Sequence, residues 1–272
     1  MAGASSRDEL IAMPALPPAL PVPSCDTTEF ATVFTDFLAS GADSCLVVSI
    51  PVSDTDLDAA IAIIPGAEQA AAQRFFNAID RLRFALGRAG LRCLLSHATK
   101  TKAADLVFQQ NEYGKIYLPH SLHFNLSHSG NLVLIGLHKS VEIGVDVESI
   151  ARVTDWPMLA DHYLTQSERD LIGACAPAQK EIAFLRAWTR KEAVIKAVGL
   201  GLSLPLQSFA VVAAQAGLTI VAAAGALSDR DWSCHDLTLD SAHVGAVAFA
   251  ASMSPCAGAA TTFAALRHVA VL

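Results

Sequence analysis

The chain has 272 residues, 53% of them hydrophobic and 17% charged, with a net charge of −7 and a mean hydropathy of +0.41. That length buries a sizeable core in one large domain or two small ones. The negative balance excludes nucleic acid as the main partner and leaves local basic residues to attract any anionic ligand. Six widely spaced cysteines form no CxxC or Cys/His pattern, so reduced thiols in a cytoplasmic protein are expected.

In chain order, residues 1–43 read as an irregular, Pro/Ala-rich arm. Pro14, Pro17, Pro18, Pro21 and Pro23 interrupt the continuous apolar helix that a signal peptide needs. Leu46 to Ile50 is a short apolar strand, followed by a loop at Pro51 and Asp54. Glu68 to Leu95 has helical composition and gathers Arg74, Arg81, Arg83, Arg88 and Arg92 in an otherwise acidic protein. Such a face is either solvated or lends some of its planar guanidiniums to a phosphate. Glu112 to Leu118 reads as a turn entering a strand, where Gly114 can take a positive φ and let a ligand approach the backbone. His123 to His128 is a strand leading into Ser-His-Ser-Gly, and Leu132 to Leu137 is the next strand. Lys139-Ser140 then reads as the tight connection of an antiparallel hairpin with Val141 to Val147. His97, His120 and His162 read as structural residues. His128 differs, because Ser127 and Ser129 flank it and offer hydroxyls beside an imidazole donor.

Asp146 and Glu148 lie two apart in the β-branched run Val141, Ile143, Val145, Val147, so both carboxylates share one strand face. Asp155 to Ala174 is helical, with Thr165 and Glu168 forming a capping-box signature before a second helix. Ile182, Leu185, Trp188, Glu192 and Lys196 recur at three- and four-residue steps on one helix face, which Gly199 and Gly201 can end. Taken alone, Asp146 with Glu148 is an ordinary solvated strand face, and Glu192 with Lys196 an ordinary surface ion pair. Taken together with Ser-His-Ser, they predict a site where carboxylates share a hard cation. Oxygen ligands in small number suit Mg²⁺ (Mn²⁺ as the alternative), which completes its shell with water and substrate phosphate. Ala197 to Ser228 carries no charge, yet glycines, Pro205 and polar residues punctuate it. Two buried strands, Phe209 to Ala214 and Leu218 to Ala223, are expected there in place of a membrane helix. Asp236 to Asp240 and His243 to Ala251 are the last expected strands.

The segments FNLSHSG (Phe124 to Gly130), GVDVE (Gly144 to Glu148) and WTRKEAVIKAVGLGLSLPLQSF (Trp188 to Phe209) resemble, in order and separation, the signature motifs of the surfactin-synthetase-activating 4′-phosphopantetheinyl transferases. The resemblance covers about Arg74 to Ala250. It implies an α+β fold of two similar halves with the active site between them: 44–143 on the coenzyme A side, 144–253 on the metal and carrier-protein side, and 254–272 as an extension. It implies a monomer that moves phosphopantetheine from coenzyme A to a serine of an apo acyl or peptidyl carrier protein. By the same resemblance Arg83 takes the 3′-phosphate, the Gly114–Lys115 loop packs against adenine and His128 contacts a coenzyme A phosphate; the reaction itself asks Lys196, one turn beyond Glu192, to neutralise the leaving phosphate, with Lys191, His128 and the Ser127 hydroxyl at the remaining phosphate oxygens. Asp146, Glu148 and Glu192 hold the metal, and Glu192 is the first choice of base, directly or through water; base and ligand compete for one carboxylate. Residues 155–174 and the following helix border the carrier-protein groove. The chain departs from the pattern in two places. Glu68, Gln69 and alanines stand where relatives can carry lysines, with Arg74 as a possible substitute, and Ile116 stands where a proline is common. A Mg²⁺-dependent hydrolase of a nucleotide diphosphate and a non-catalytic carrier-protein or coenzyme A binding module are the alternatives.

Overall fold

A computed structural model describes residues 19–22, 27–152, 155–214, 217–222, 227–228, 231–250 and 256–260. In chain order the elements are β1 (Leu20–Pro21), α1 (Thr27–Ala39), β2 (Cys45–Pro51), α2 (Leu57–Ile61), α3 (Gly66–Ala72), α4 (Ala78–Thr99), β3 (Gln109–Gln110), β4 (Ile116–Tyr117), β5 (His123–Ser129), β6 (Leu132–His138) and β7 (Ile143–Ser149). There follow α5 (Trp156–Tyr163), α6 (Gln166–Gly173), α7 (Lys180–Val198), β8 (Phe209–Ala214), β9 (Gly217–Ala222), β10 (Ser233–Thr238), β11 (His243–Phe249) and β12 (Cys256–Ala260).

One architecture occurs twice. In the first half a strand (β2) leads through helices to α4, and a hairpin (β5–β6) returns to lay β6 antiparallel against β2. In the second half β7 leads through α5 and α6 to α7, and the hairpin β10–β11 returns to lay β11 antiparallel against β7. Each half inserts a small strand pair between its long helix and its hairpin, β3–β4 in one and β8–β9 in the other. The sheets run β12-β2-β6-β5 and β7-β11-β10-β9-β8, with β1 parallel beside β10. These are the two similar α+β halves expected.

Strand alternation divides the core. Leu46, Val48 and Ile50 of β2 and Val133, Ile135 and Leu137 of β6 face α1 and α4. Cys45 and Val47, with Leu132 and Leu134, face the other sheet and meet Ile143, Val145, Val147, Val247 and Phe249. The two sheets therefore stack by their inner faces, as period-two side chains require.

The predicted hairpin of Leu132–Leu137 with Val141–Val147 is not formed. Both edges of β6 are already taken by β2 and β5, so β7 joins the other sheet against β11. The strands meet face to face instead: a Cβ on Gly136 would lie 2.6 Å from Val145, so the missing side chain makes room for the stacking. Four further readings are corrected. The arm 1–43 contains α1, whose Phe30, Phe34 and Phe37 are buried; their i, i+4, i+7 spacing was the available signal. β12, within the expected extension, adds in parallel to β2. Cys45 is disulfide-bonded, whereas Cys93, Cys175 and Cys234 are free, so cysteine usage no longer argues for a reducing compartment. The helical stretch from Glu68 is broken between α3 and α4. Among the described residues no helix is long and apolar enough to cross a membrane, and the uncharged stretch forms β8 and β9, paired antiparallel.

A pH dependence of stability is expected at the crossover between the sheets. His138 is wholly buried, and its Nδ1 accepts from the N–H groups of Ser140 (3.1 Å) and Val141 (3.2 Å). Burial, with His123 nearby, holds this imidazole down at about 4, which keeps Nδ1 an acceptor. A histidine harder to protonate in the folded chain contributes stability that is complete above its unfolded pKa of about 6.5 and is lost as the pH falls toward 4, at most ~3 kcal/mol. The melting temperature of the wild type should fall across that window. In His138→Asn, whose side-chain oxygen can take the same bonds without titrating, the fall should be smaller; equal slopes contradict the assignment.

Candidate active site

The site forms where β5 and β7, edge strands of the two sheets, run side by side. Asn125, Ser127 and Ser129 project alternately from β5 and accept the backbone N–H groups of Val145 (3.0 Å), Val147 (3.3 Å) and Ser149 (3.1 Å). This side-chain ladder joins the halves where no backbone ladder does. Its period of two was visible in FNLSHS and is the feature that reading the motif for ligands missed.

α7 lies directly on β7. A Cβ on Gly144 would stand 2.0 Å from the carbonyl oxygen of Ala193, so only glycine lets the helix approach this closely. Glu192 and Lys196, one turn apart, thereby overhang the β7 face that carries Asp146 and Glu148. The helix ends at Gly199, whose φ of 77° supplies the left-handed cap. Asn111 Nδ2 donates to the Gly199 carbonyl (2.8 Å), tying the Asn111–Lys115 turn to the helix end. Gly114 has the expected positive φ, 85°.

A cavity of about 650 Å³ opens between α4, β5, the Tyr113–Ile116 loop, β7 and α7. Asp146, Glu148, Glu192, Lys196, Ser127, His128, Arg83, Gly114 and Lys115 all line it, so the fold collects the predicted residues save one. Lys191 is the exception. It is fully buried, ion-paired to Glu168 (2.9 Å), and donates to the carbonyls of Leu206 (2.7 Å) and Phe209 (2.5 Å). Glu168 is also the capping-box residue of Thr165. Lys191 therefore belongs to the core under α7, a correction to its expected place among phosphate ligands. A lysine adjacent to Glu192 in sequence points about 100° around the helix from it.

Several of the gathered groups are engaged with one another. Lys196 Nζ donates to Asp146 Oδ1 (2.6 Å) and Ser127 Oγ (3.0 Å), and Ser127 Oγ donates to the same Oδ1 (2.9 Å). Ser129 Oγ donates to Glu148 (2.8 Å). Arg83 holds the Gly130 carbonyl through Nε (2.6 Å) and Nη2, and Asp80 through Nη1 (2.8 Å). Lys115 Nζ binds Glu142 and the carbonyls of Ala197 (3.0 Å) and Ile143 (3.3 Å); burial lowers its pKa against the pull of Glu142. The His128 pKa is lowered by loss of water and by the Arg83 charge. Burial raises the Glu192 carboxyl, and the Asp146 and Glu148 carboxylates add to this against Lys196. Arg74, the suggested substitute for missing lysines, is exposed and does not line the cavity.

Two features fit a divalent cation. Asp146 is 4% exposed, yet its Oδ2 has no hydrogen-bond partner among the described residues. Glu192 accepts no hydrogen bond among the described residues and is the carboxyl destabilised by two like charges. Hard carboxylate oxygens lacking partners beside a cavity are the donor set Mg²⁺ takes. As they stand, no three His, Cys, Asp or Glu side chains among the described residues are gathered closely enough to hold an ion. Lys196, seated on Asp146, supplies the positive charge there instead.

Comparison with known proteins gives matching results for the two halves. The family model of the 4′-phosphopantetheinyl transferase superfamily matches residues 142–248, and that of the N-terminal part of 4′-phosphopantetheinyl transferase matches residues 51–139. The chain is 34% identical over 164 residues to 4′-phosphopantetheinyl transferase ffp of Bacillus subtilis, covering 59% of this chain and 71% of that one. It is 32% identical over 202 residues to 4′-phosphopantetheinyl transferase HetI of a Nostoc species, covering 72% and 83%. To 4′-phosphopantetheinyl transferase Sfp of Bacillus subtilis it is 32% identical over 164 residues, covering 59% and 71%.

Proposed function

The chain belongs to the 4′-phosphopantetheinyl transferase superfamily, and from that membership we propose that it transfers the phosphopantetheine group of coenzyme A to a serine of an apo acyl or peptidyl carrier protein. The observation that carries this reading is the cavity wall, where the unpartnered Asp146 Oδ2 lies beside Glu148, Glu192 and Lys196. In the reaction the serine oxygen bonds to the β-phosphorus of coenzyme A. The phosphorus–oxygen bond to adenosine 3′,5′-bisphosphate breaks, and the serine proton passes to a base.

Asp146, Glu148 and Glu192 would hold Mg²⁺ (or Mn²⁺), which supplies charge neutralisation for the diphosphate when bound. Glu192 would take the serine proton, directly or through water. Lys196, on exchanging Asp146 for a phosphate oxygen, and His128 would meet the charge developing on the leaving phosphate. Ser127 fixes Asp146, and the Gly114–Lys115 loop walls the nucleotide end. Arg83, on α4, holds the Gly130 turn through Nε and Nη2.

The carrier protein would approach across α5, α6 and the start of α7, where Met158 (57%) and Leu171 (38%) are exposed. One chain builds the whole cavity from its two halves, which supports a monomer. Halves meeting near residue 143 support the boundaries expected from sequence, and coenzyme A as co-substrate supports a cytoplasmic setting.

Intact-mass spectrometry of an apo carrier protein incubated with coenzyme A and Mg²⁺ tests the proposal. The expected result is one added phosphopantetheine group and released adenosine 3′,5′-bisphosphate. Coenzyme A cleavage without modification would assign a hydrolase, and neither change would leave a binding module.

A further inference from the structure

We infer that Glu142 is a positioning residue: it holds the Lys115 ammonium against the end of α7 and by that clip fixes the Asn111–Lys115 turn as a wall of the cavity. The transferase reading enters only through the ligand that reports the effect. A helix leaves its last carbonyls unpaired and the negative end of its dipole open, and at α7 a turn from the first half meets both needs. Asn111 Nδ2 donates to the Gly199 carbonyl (2.8 Å), and Lys115 Nζ to that of Ala197 (3.0 Å). The lysine stem lies along Gly199, where a Cβ would stand 3.0 Å from Lys115 Cδ. The turn gives Tyr113, Gly114 and Lys115 to the cavity, and α7 gives Glu192 and Lys196. This joint therefore sets how two of the cavity walls stand to one another.

An ammonium has three donors, and Lys115 uses them on the Ala197 carbonyl, on the Ile143 carbonyl (3.3 Å) and on Glu142 Oε2. None is left for a ligand. The Lys115 side chain is 13% exposed, and a cation so nearly buried needs a negative partner. Glu142 is that partner, and its other oxygen, Oε1, is held by His123 Nδ1 (2.9 Å). His123 continues the alternation of Asn125, Ser127 and Ser129 along β5, so it adds a side-chain rung at the end of the seam between β5 and β7. Burial pushes the Glu142 carboxyl up, but the His123 bond and the Lys115 charge outweigh it and hold it at about 2. The carboxylate is thus charged throughout the neutral range.

Without Glu142 the ammonium keeps two carbonyls and no counter-charge, so Lys115 turns to water and the turn loses one of its two ties to α7. Removing a carboxylate beside a cavity for an anion ordinarily tightens anion binding, all the more when it releases a lysine. Loss of the clip works the other way, because a wall of the cavity is no longer held in place. The sign of the effect of Glu142 on an anionic ligand therefore separates a positioning residue from a bystander charge.

The test pairs hydrogen exchange of the ligand-free protein with calorimetric binding of coenzyme A. The amides of Asn111 and Gly114 bond to the carbonyls of Lys115 and Asn111, and those of Tyr113 and Lys115 to Asn111 Oδ1, so their exchange reports the turn. In Glu142→Ala that exchange should speed up at least about tenfold, and the Kd for coenzyme A should rise about tenfold, the loss of one charge-assisted contact. Glu142→Gln, which keeps an acceptor without the charge, should lie between Glu142→Ala and the wild type. Lys115→Met should weaken binding too, and adding Glu142→Ala to it should cost no more than about twofold further, since the same clip is broken once. Circular dichroism confirms that each variant is folded. Unchanged exchange in Glu142→Ala, coenzyme A bound as tightly as by the wild type or tighter, or additive losses in the double variant overturn the inference and leave the transferase reading in place. A wild type that binds no coenzyme A removes the transferase reading, and the exchange result still decides the clip.

Discussion

Asp146→Asn should give a folded protein whose transfer to a carrier protein is reduced at least about a thousandfold, the scale of removing a preorganised charge from a phosphoryl-transfer site. The substitution keeps the shape of the side chain, and an amide oxygen can still accept from Lys196 Nζ and Ser127 Oγ, as Asp146 Oδ1 does at 2.6 and 2.9 Å. What it removes is the negative charge and the unpartnered Oδ2. The stability cost should stay within ~1–2 kcal/mol, because Lys196 is partly solvated and Glu192 and Glu148 repel the native carboxylate. Glu192→Ala should lose transfer on the same scale. Purified Asp146→Asn retaining transfer near the wild-type rate would remove the carboxylate from the chemistry.

Lys191→Met separates fold from chemistry. The ammonium lies at 0% exposure against a Glu168 that is 3% exposed, and removing one partner of such a pair leaves an uncompensated buried charge costing about 3–5 kcal/mol. Here the loss includes bonds to the Leu206 and Phe209 carbonyls, which shape the chain between α7 and β8. The melting temperature should therefore fall steeply in Lys191→Met, and Lys191→Met with Glu168→Gln should recover part of it, as a buried pair does when both charges leave. Measured below the transition and per folded molecule, the coenzyme A KM of Lys191→Met should be unchanged within about twofold. A stable variant with a strongly raised KM would return Lys191 to the phosphate-binding set implied by family resemblance.

Those two lysines mark the boundary of what the sequence reveals. Lys196 belongs to a stripe with Trp188 and Glu192, and the spacing places it correctly because a helix fixes which residues share a face. Lys191 stands outside that stripe, and only Glu168, brought in from α6 by the tertiary fold, makes its burial affordable. Asp146 and Glu148 were legible for a similar local reason, since strand alternation alone puts them on one side. The hairpin reading of Leu132 to Val147 failed because partner choice depends on β2 and β11, each more than eighty residues in the chain from the strand it pairs with. Local pattern says that a segment is a strand and not which edge is free. α1 was readable from Phe30, Phe34 and Phe37, but prolines upstream of it drew the whole arm into one irregular reading. The arginines of Glu68 to Leu95 were visible as a group, but Arg92 is committed to Glu68, and Arg83 to Asp80 and the Gly130 carbonyl, partners that no spacing rule encodes.

Once a diphosphate enters, the two acids of β7 and the acid of α7 should close on one divalent ion, with Lys196 leaving Asp146 to meet the phosphate. A crystal structure of the protein with coenzyme A and Mn²⁺, read by anomalous scattering, measures this directly. One strong peak is expected, bonded to oxygens of Asp146, Glu148, Glu192 and the diphosphate at about 2.0–2.3 Å, with Lys196 Nζ moved from Asp146 to a phosphate oxygen. Bound coenzyme A with Lys196 still on Asp146, and the manganese elsewhere or touching none of the three acids, would contradict it.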